Sequence, residues 1–343
     1  MQDEKKLKSL LDLSLDELRE LILELGEKKF RADQLYKWLN AGKSFDRMSN
    51  LSKDFLSKLK ADYFEGYAKI AEKQVSKDGT IKYLFLMRDG TGVESVLMKQ
   101  AYGNTLCIST QAGCRMGCGF CASGACGLER NLSAGEILSQ VIGVNEDGEK
   151  VGNIVLMGMG EPFDNYDNVI KFIKLVNHQE GLNIGYRSIS LSTCGIVPKI
   201  IEFSKEGLPV TLAISLHAPN DEIRKSIMPI SKKYTIYEVV DSAKYYFNKT
   251  GRRVIIEYVL IDGINSSVEN AKELAKLLKG FNCHVNLIPY NSISEKFRKP
   301  SDTVVKDFLN VLEKNRISAT RRKTSGDDIE GACGQLRLKN RSE

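Results

Sequence analysis

The sequence predicts an α/β protein: an incomplete (β/α)6 barrel preceded by a small N-terminal helical domain and a β-hairpin linker. Three observations predict it. From Leu106 onward, short apolar runs alternate with helical stretches, the pattern of parallel strands joined by helical crossovers. Six such runs can be counted, two short of a closed barrel. The segment up to about Lys60 carries helical periodicity only, and the stretch after it turns β-prone. At roughly 150 residues per domain, a chain of 343 residues has room for a barrel and an added module.

The elements follow in order. Ser14 and Glu17 form a capping box ahead of Leu18, Leu21, Ile22 and Leu25, and Gly26 suits a C-terminal cap. Residues 81–86 and 93–98 read as strands around the turn Asp89-Gly90-Thr91-Gly92. The barrel strands are read at residues 107–109, 153–157, 188–192, 210–215, 254–261 and 285–288. This divides the chain into a helical domain at 1–66, a β-rich linker at 67–98 and a barrel with a C-terminal tail at 99–343. The loops following the barrel runs are rich in Gly, Ser, His, Asn or Cys. In barrels the chemistry gathers at that end of the strands.

Composition excludes other classes. With 42% hydrophobic and 27% charged residues, 7 Pro and 28 Gly, the chain is neither disordered nor collagen-like. No uncharged stretch reaches the roughly 18 apolar residues of a membrane span. Asp3, Glu4, Lys5, Lys6 and Lys8 leave no apolar signal core at the start, so a cytoplasmic, membrane-free protein is expected. There the 8 Cys point to metal ligands, catalytic groups or small core residues rather than disulfides. The net charge of +6 lies largely beyond Lys296, where 12 Lys and Arg face 7 Asp and Glu. Such an excess raises a nucleic-acid partner only modestly.

The sharpest feature is Cys114-Arg115-Met116-Gly117-Cys118-Gly119-Phe120-Cys121. Thiolates select zinc or iron-sulfur clusters, and closed structural zinc sites take four protein ligands. The compact group supplies three, which leaves a coordination position open to substrate or cofactor. The competing reading is a zinc knuckle completed by Cys126, in a non-catalytic RNA-binding protein.

This Cys-x3-Cys-x-aromatic-Cys pattern resembles the signature of the radical S-adenosylmethionine (SAM) superfamily. Further segments resemble the RlmN-type RNA adenine methyltransferases over essentially the whole chain. They are Gly158-Met159-Gly160-Glu161-Pro162, Leu191-Ser192-Thr193, Ser215-Leu216-His217, Val285-Asn286-Leu287-Ile288-Pro289-Tyr290-Asn291 and Gly326-Asp327-Asp328-Ile329-Glu330-Gly331-Ala332-Cys333-Gly334-Gln335-Leu336. The related Cfr type, which modifies C8 of adenine, resembles Met-Gly-Glu-Ala where this chain has Gly160-Glu161-Pro162. It also lacks the stretch that residues 324–328 approximate, so the C2-specific reading is taken.

The resemblance implies that Cys114, Cys118 and Cys121 hold a 4Fe-4S cluster whose remaining iron chelates SAM, two SAM being used per turnover. It implies SAM contacts at Gly160, Glu161, Ser192, Ser215, Leu216, His217 and Asn291. C2 of adenine is electrophilic and cannot attack the SAM methyl directly, so the methyl passes first to a protein sulfur, which by resemblance is Cys333. Cys107 matches the resolving thiol and Glu94 the proton acceptor; otherwise Cys107 is a strand-core thiol and Glu94 a hairpin surface charge. Implied partners are 23S ribosomal RNA, tRNA, and an electron donor such as flavodoxin or ferredoxin, with a monomeric enzyme. Arg316, Arg321, Arg322 and Lys323, with Lys28, Lys29, Arg31 and Lys37, offer positive charge to phosphates. Phe30, Tyr36 and Trp38 read as core, as do Cys126, Cys194 and Cys283.

Overall fold

The computed structural model describes residues 7–125, 127–291, 296–322, 325, 326, 328 and 329. Strand β1 (Lys8–Ser9) opens the chain and is followed by helices α1 (Leu15–Glu24), α2 (Phe30–Asn40) and α3 (Lys53–Lys60), then β2 (Tyr63–Phe64), which pairs in parallel with β1. The start of α1 is the expected capping box: Ser14 Oγ accepts from the Glu17 N–H and the Glu17 carboxylate accepts from the Ser14 N–H. Its end is the expected glycine: Gly26 has φ +75°, and the Glu27 N–H returns to the Ile22 carbonyl. Ala32, Leu35, Tyr36 and Leu39 set the buried stripe of α2. Phe30 lies off that stripe. Contrary to the expected core position it is 49% exposed, with the Arg31 guanidinium 5.1 Å from its ring centroid.

Three antiparallel strands come next, β3 (Lys69–Val75), β4 (Ile81–Leu86) and β5 (Gly92–Met98). The expected hairpin is β4 and β5, and β3 adds an edge. The α/β part runs β6 (Thr105–Cys107), β7 (Gln111–Gly113), α4 (Ala122–Ala125), β8 (Leu128–Asn131), α5 (Ala134–Glu146), β9 (Asn153–Leu156), α6 (Tyr166–Asn177), β10 (Ile189–Thr193) and α7 (Val197–Phe203). It continues with β11 (Thr211–Ser215), α8 (Asp221–Ile227), α9 (Ile236–Thr250), β12 (Val254–Leu260), α10 (Val268–Leu277), β13 (Cys283–Pro289), α11 (Asp302–Lys314) and β14 (Ala319–Arg321). Among the described residues all six anticipated barrel strands form, the first at 105–107 rather than 107–109, and β14 adds a short seventh parallel strand.

The sheet order is β14-β13-β12-β11-β10-β9-β6-β5-β4-β3, with β6 to β14 parallel and β5 antiparallel to β6. The hairpin therefore extends the barrel wall. Register divides the wall into two faces, because side chains alternate along a strand. Ile154, Leu156, Ile189, Leu191, Leu212, Ile214, Ile256 and Val285 share the face under the helices and are wholly or almost wholly buried. The other face carries Lys82, Glu94, Cys107, Ser190, Ser192, Ser215, Glu257 and Asn286. An open barrel of this kind keeps polar groups inside.

The helical segment docks through α5. Asp12 Oδ1 accepts from the Gly135 N–H at 2.7 Å, and a Cβ at Gly135 would stand 2.8 Å from the backbone of Leu11 and Asp12. Only glycine permits that approach. One continuous apolar core runs from Leu10 through the helical segment into the barrel.

Candidate active site

The cysteine loop is aimed by the ribbon β7–β8. Gly113, at φ +81°, lets the ribbon close so that a Cβ there would lie 1.9 Å from the Gly127 carbonyl oxygen. The Cys114 N–H then donates to that oxygen at 2.9 Å. Downstream the Cys121 N–H donates to the Cys118 carbonyl, and the Gly119 N–H donates to the Ile227 carbonyl at the end of α8. The loop is held at both ends.

A cavity of about 330 Å³ opens beside it, at the C-terminal ends of the parallel strands. Cys114, Cys118, Cys121, Gly160, Glu161, Ser192, Ser215, His217 and Asn291 all line it. Strands separated by more than a hundred residues in sequence thus bring nine of the expected site residues to one space. Burial pushes the Cys114 thiol up to about 12 and raises Cys118 as well. Both thiols stay protonated until a metal displaces the proton.

Gly160 has φ +106°, and a Cβ there would meet Gln111 and Thr110 at 2.7–2.8 Å. The turn it allows buries Glu161, whose N–H donates to Gln111 Oε1 at 2.8 Å. The Glu161 carboxylate accepts from the Cys194 N–H at 2.7 Å and the Phe163 N–H at 3.1 Å. Burial raises its pKa while these donors oppose the rise. Such a carboxylate suits a cationic group that would complete its charge balance. Ser192 Oγ and Ser215 Oγ stand 3.2 Å apart on neighbouring strands.

His217 has φ +57° and its Nδ1 accepts from the Val259 N–H at 2.9 Å. Its proton therefore sits on Nε2. Burial, reinforced by the Arg224 charge, lowers its pKa to about 3, which keeps the ring neutral. Phe120 of the cysteine loop packs edge-on against it, centroids 4.8 Å apart. Leu216 is fully buried and stands behind the cavity rather than on its lining.

Glu94 is no surface charge. It is 1% exposed and forms an ion pair of 2.9 Å with Lys82, itself 0% exposed. Cys107, buried on β6, sits opposite Val96, two residues along from Glu94, so all three face the lumen. Neither Glu94 nor Cys107 lines the cavity. Cys333 and Cys126 lie outside the described residues. Cys283 is a core thiol as expected, but Cys194 lines the cavity beside Glu161. Among the anticipated phosphate contacts, Lys37 pairs with Glu180 and Arg321 with Asp302, and Arg322 reaches into the cavity toward Met157.

Sequence reasoning missed Lys82 and Glu257. The cavity-lining Glu257 is 3% exposed; its Oε1 accepts from Asn286 at 3.1 Å and its Oε2 meets no hydrogen-bond partner among the described residues. The available signal was a single charge inside an apolar strand, as in Ile81-Lys82-Tyr83 and Ile256-Glu257-Tyr258. Asn265 was missed too: it donates to the His217 and Val259 carbonyls and fixes the His217 turn.

The donor set fits an iron-sulfur cluster. Three soft thiol donors from one loop border a single cavity, and thiolates suit an iron-sulfur cluster.

A parallel β/α partial barrel with a three-cysteine loop beside a glycine-lined cavity defines the class, and the comparisons agree. Residues 108–278 match the radical SAM superfamily, and residues 8–64 match the ribosomal RNA large subunit methyltransferase N-terminal domain. A protein of Alkaliphilus metalliredigens described as a probable dual-specificity RNA methyltransferase RlmN is 53% identical, over 96% of this chain and 95% of its own length. One of Clostridium tetani with the same description is 51% identical over 98% of each. The crystal structure of a radical SAM methyltransferase from Sphaerobacter thermophilus superposes with a TM-score of 0.92 at 42% identity, covering 95% of this chain and 98% of that one. The chain belongs to the RlmN family of radical SAM RNA methyltransferases. Among the described residues no helix is long and apolar enough to cross a membrane.

Proposed function

We propose that this enzyme methylates C2 of an adenine in 23S ribosomal RNA and of an adenine beside the anticodon in tRNA. The relatives' description as dual-specificity RNA methyltransferases supports two RNA substrates. The observation that carries the chemistry is the cavity that Cys114, Cys118 and Cys121 border at the strand ends; Glu94 and Cys107 share the lumen face of the same sheet. A 4Fe-4S cluster bound by those three thiols supplies one-electron reductive cleavage of SAM to a 5′-deoxyadenosyl radical.

The chain's own groups do the rest. Glu161 offers its buried carboxylate to the SAM ammonium, with Gly160, Ser192, Ser215, His217 and Asn291 completing the SAM site and Leu216 backing it from behind the cavity. Cys333 accepts the methyl of one SAM; a second SAM serves the hydrogen abstraction that turns this methyl into a carbon radical. Its addition to C2 tethers the RNA to Cys333 through a methylene. Glu94, oriented by Lys82, takes the C2 proton. Cys107 forms a disulfide with Cys333 as the carbon–sulfur bond breaks, and the Cys107 proton completes the released methyl group. The one surplus electron of the adduct radical passes back along the route of the one-electron donor, and an external thiol later reduces the disulfide. The helical domain at 1–66 grips RNA, the strands at 67–98 join it to the barrel at 99–343, and a flavodoxin or ferredoxin delivers electrons to a cytoplasmic monomer.

Anaerobic reconstitution with SAM, a reductant and either 23S ribosomal RNA or tRNA, followed by mass spectrometry of the nucleosides, tests this reading. The expected product is 2-methyladenosine from both RNAs. Recovery of 8-methyladenosine, or no methylated adenosine, overturns it.

A further inference from the structure

Arg224 is the largest fully buried side chain of the described residues, at 0% exposure. Its guanidinium is spent on neutral acceptors. Nε donates to the Leu216 carbonyl at 3.1 Å, one terminal nitrogen to Ser231 Oγ at 3.0 Å, and the other to the Cys194 carbonyl at 2.6 Å and the Ser215 carbonyl at 3.4 Å. One side chain therefore ties together the ends of β10 and β11. The nearby carboxylate Asp221 acts on it only at longer range, and its Oδ1 accepts from the Ile236 N–H. Among the described residues, Arg224 has no carboxylate within ion-pair distance.

A buried cation without a counter-ion is costly, and polar acceptors offset that cost only in part. What lies beside it is the cysteine loop. The helix that carries Arg224 ends at Ile227, whose carbonyl accepts from the Gly119 N–H, and Ile227 and Met228 pack against Met116, Cys118 and Phe120. The Arg224 guanidinium bonds the carbonyls of Cys194 and Ser215, both residues of the cavity that Cys118 borders. Glu161 cannot serve as its partner directly: the two grip opposite ends of residue Cys194, Glu161 at the N–H and Arg224 at the carbonyl.

We propose that Arg224 is the built-in counter-charge of the iron-sulfur site, offsetting the negative charge of the cysteine-bound cluster and making it easier to reduce. The proposal rests on Cys114, Cys118 and Cys121 holding that cluster. When a low-potential one-electron donor reduces it, the cluster becomes one charge more negative and no bond to Arg224 forms or breaks. A fixed cation stabilises the reduced form more than the oxidised form, because cluster potentials follow local charge and solvent exclusion. Arg224 is thus a positioning and tuning residue, acting through the cluster and the strand ends and not on the RNA.

The test separates charge from hydrogen bonding in the full chain, reconstituted anaerobically, with iron and sulfide assayed before each measurement. Midpoint potentials are read by potentiometric titration followed by electron paramagnetic resonance. Arg224→Gln removes the charge, Arg224→Lys keeps it, Ser231→Asp neutralises the guanidinium in place, and Ser231→Asn is its neutral control. Arg224→Gln and Ser231→Asp are expected to lower the equilibrium constant for reduction about tenfold, a shift of about 59 mV to more negative potential for one electron. Arg224→Lys and Ser231→Asn are expected to stay near the parent. If Arg224→Gln fails to load, the Ser231 pair decides. Loaded Ser231→Asp with the parent potential, or equal shifts in Ser231→Asp and Ser231→Asn, overturns the counter-charge role. A parent protein that takes up no iron and sulfide refutes the cluster reading instead.

Discussion

The two walls of the lumen handle buried polar groups differently. On the wall formed by β9 to β12, Glu161, His217 and Arg224 are each pinned to main-chain groups. On the wall formed by β4 to β6, Lys82 and Glu94 are paired with each other. Polar groups bound to backbone fix the shape of a cavity and survive the loss of one neighbour. A buried ion pair is balanced only while both members are present. The first wall fixes the shape of the cavity that the cysteine loop borders, and the second holds a buried ion pair and the Cys107 thiol on one face of the lumen.

The largest effect expected lies on the cofactor wall. Replacing Cys114, Cys118 or Cys121 by Ala should abolish iron binding and SAM cleavage while the helical segment still folds, as iron assay, 5′-deoxyadenosine analysis and circular dichroism would show. Full iron content and turnover in such a variant would break the comparison at its root. On the opposite wall, Cys107→Ala should still attack RNA and then stall as a covalent protein–RNA adduct, visible on denaturing gels as a nuclease-sensitive shift. Normal turnover with only about 1 kcal/mol of lost stability would make Cys107 a packing residue.

A third effect sharpens the contrast in stability. Lys82→Met removes the cation that Glu94 is paired with in a buried setting and should cost about 3–5 kcal/mol, whereas adding Glu94→Gln should recover much of that loss. Ser192→Ala on the other wall should cost no more than about 1.5 kcal/mol. Urea midpoints measure all three, and equal losses would erase the distinction between the walls. The smallest effect is a pH slope from His217. Its folded pKa, about 3, lies below the unfolded value of about 6.5. Its contribution is therefore complete above the unfolded value and is lost as pH falls toward the folded one. The slope is at most about 1.4 kcal/mol per pH unit. The thermal midpoint of the cluster-free protein should drop between pH 7 and pH 5, and His217→Gln should flatten that drop.

Much of this was legible before any coordinates. The capping box at Ser14, the Gly26 cap and the six barrel strands are local signals, written in periodicity and turn chemistry within a few residues. The cysteine loop is equally local, since its three thiols lie within eight residues of chain. The position of Phe30 was misread because a single aromatic says nothing about which side of its helix faces the core.

What the sequence by itself determined is the set of elements and the chemistry each loop can offer. Tertiary structure alone decided which charges would meet. Lys82 and Glu94 lie on adjacent strands and pair only because the antiparallel register turns both toward the lumen. Arg224 is buried only because α8 folds back over the ends of β10 and β11, bringing its guanidinium to carbonyls up to thirty residues away. The physical reason is range: hydrophobic periodicity and capping act along the chain. The cost of burying a charge depends on what the fold places around it, from any distance in sequence.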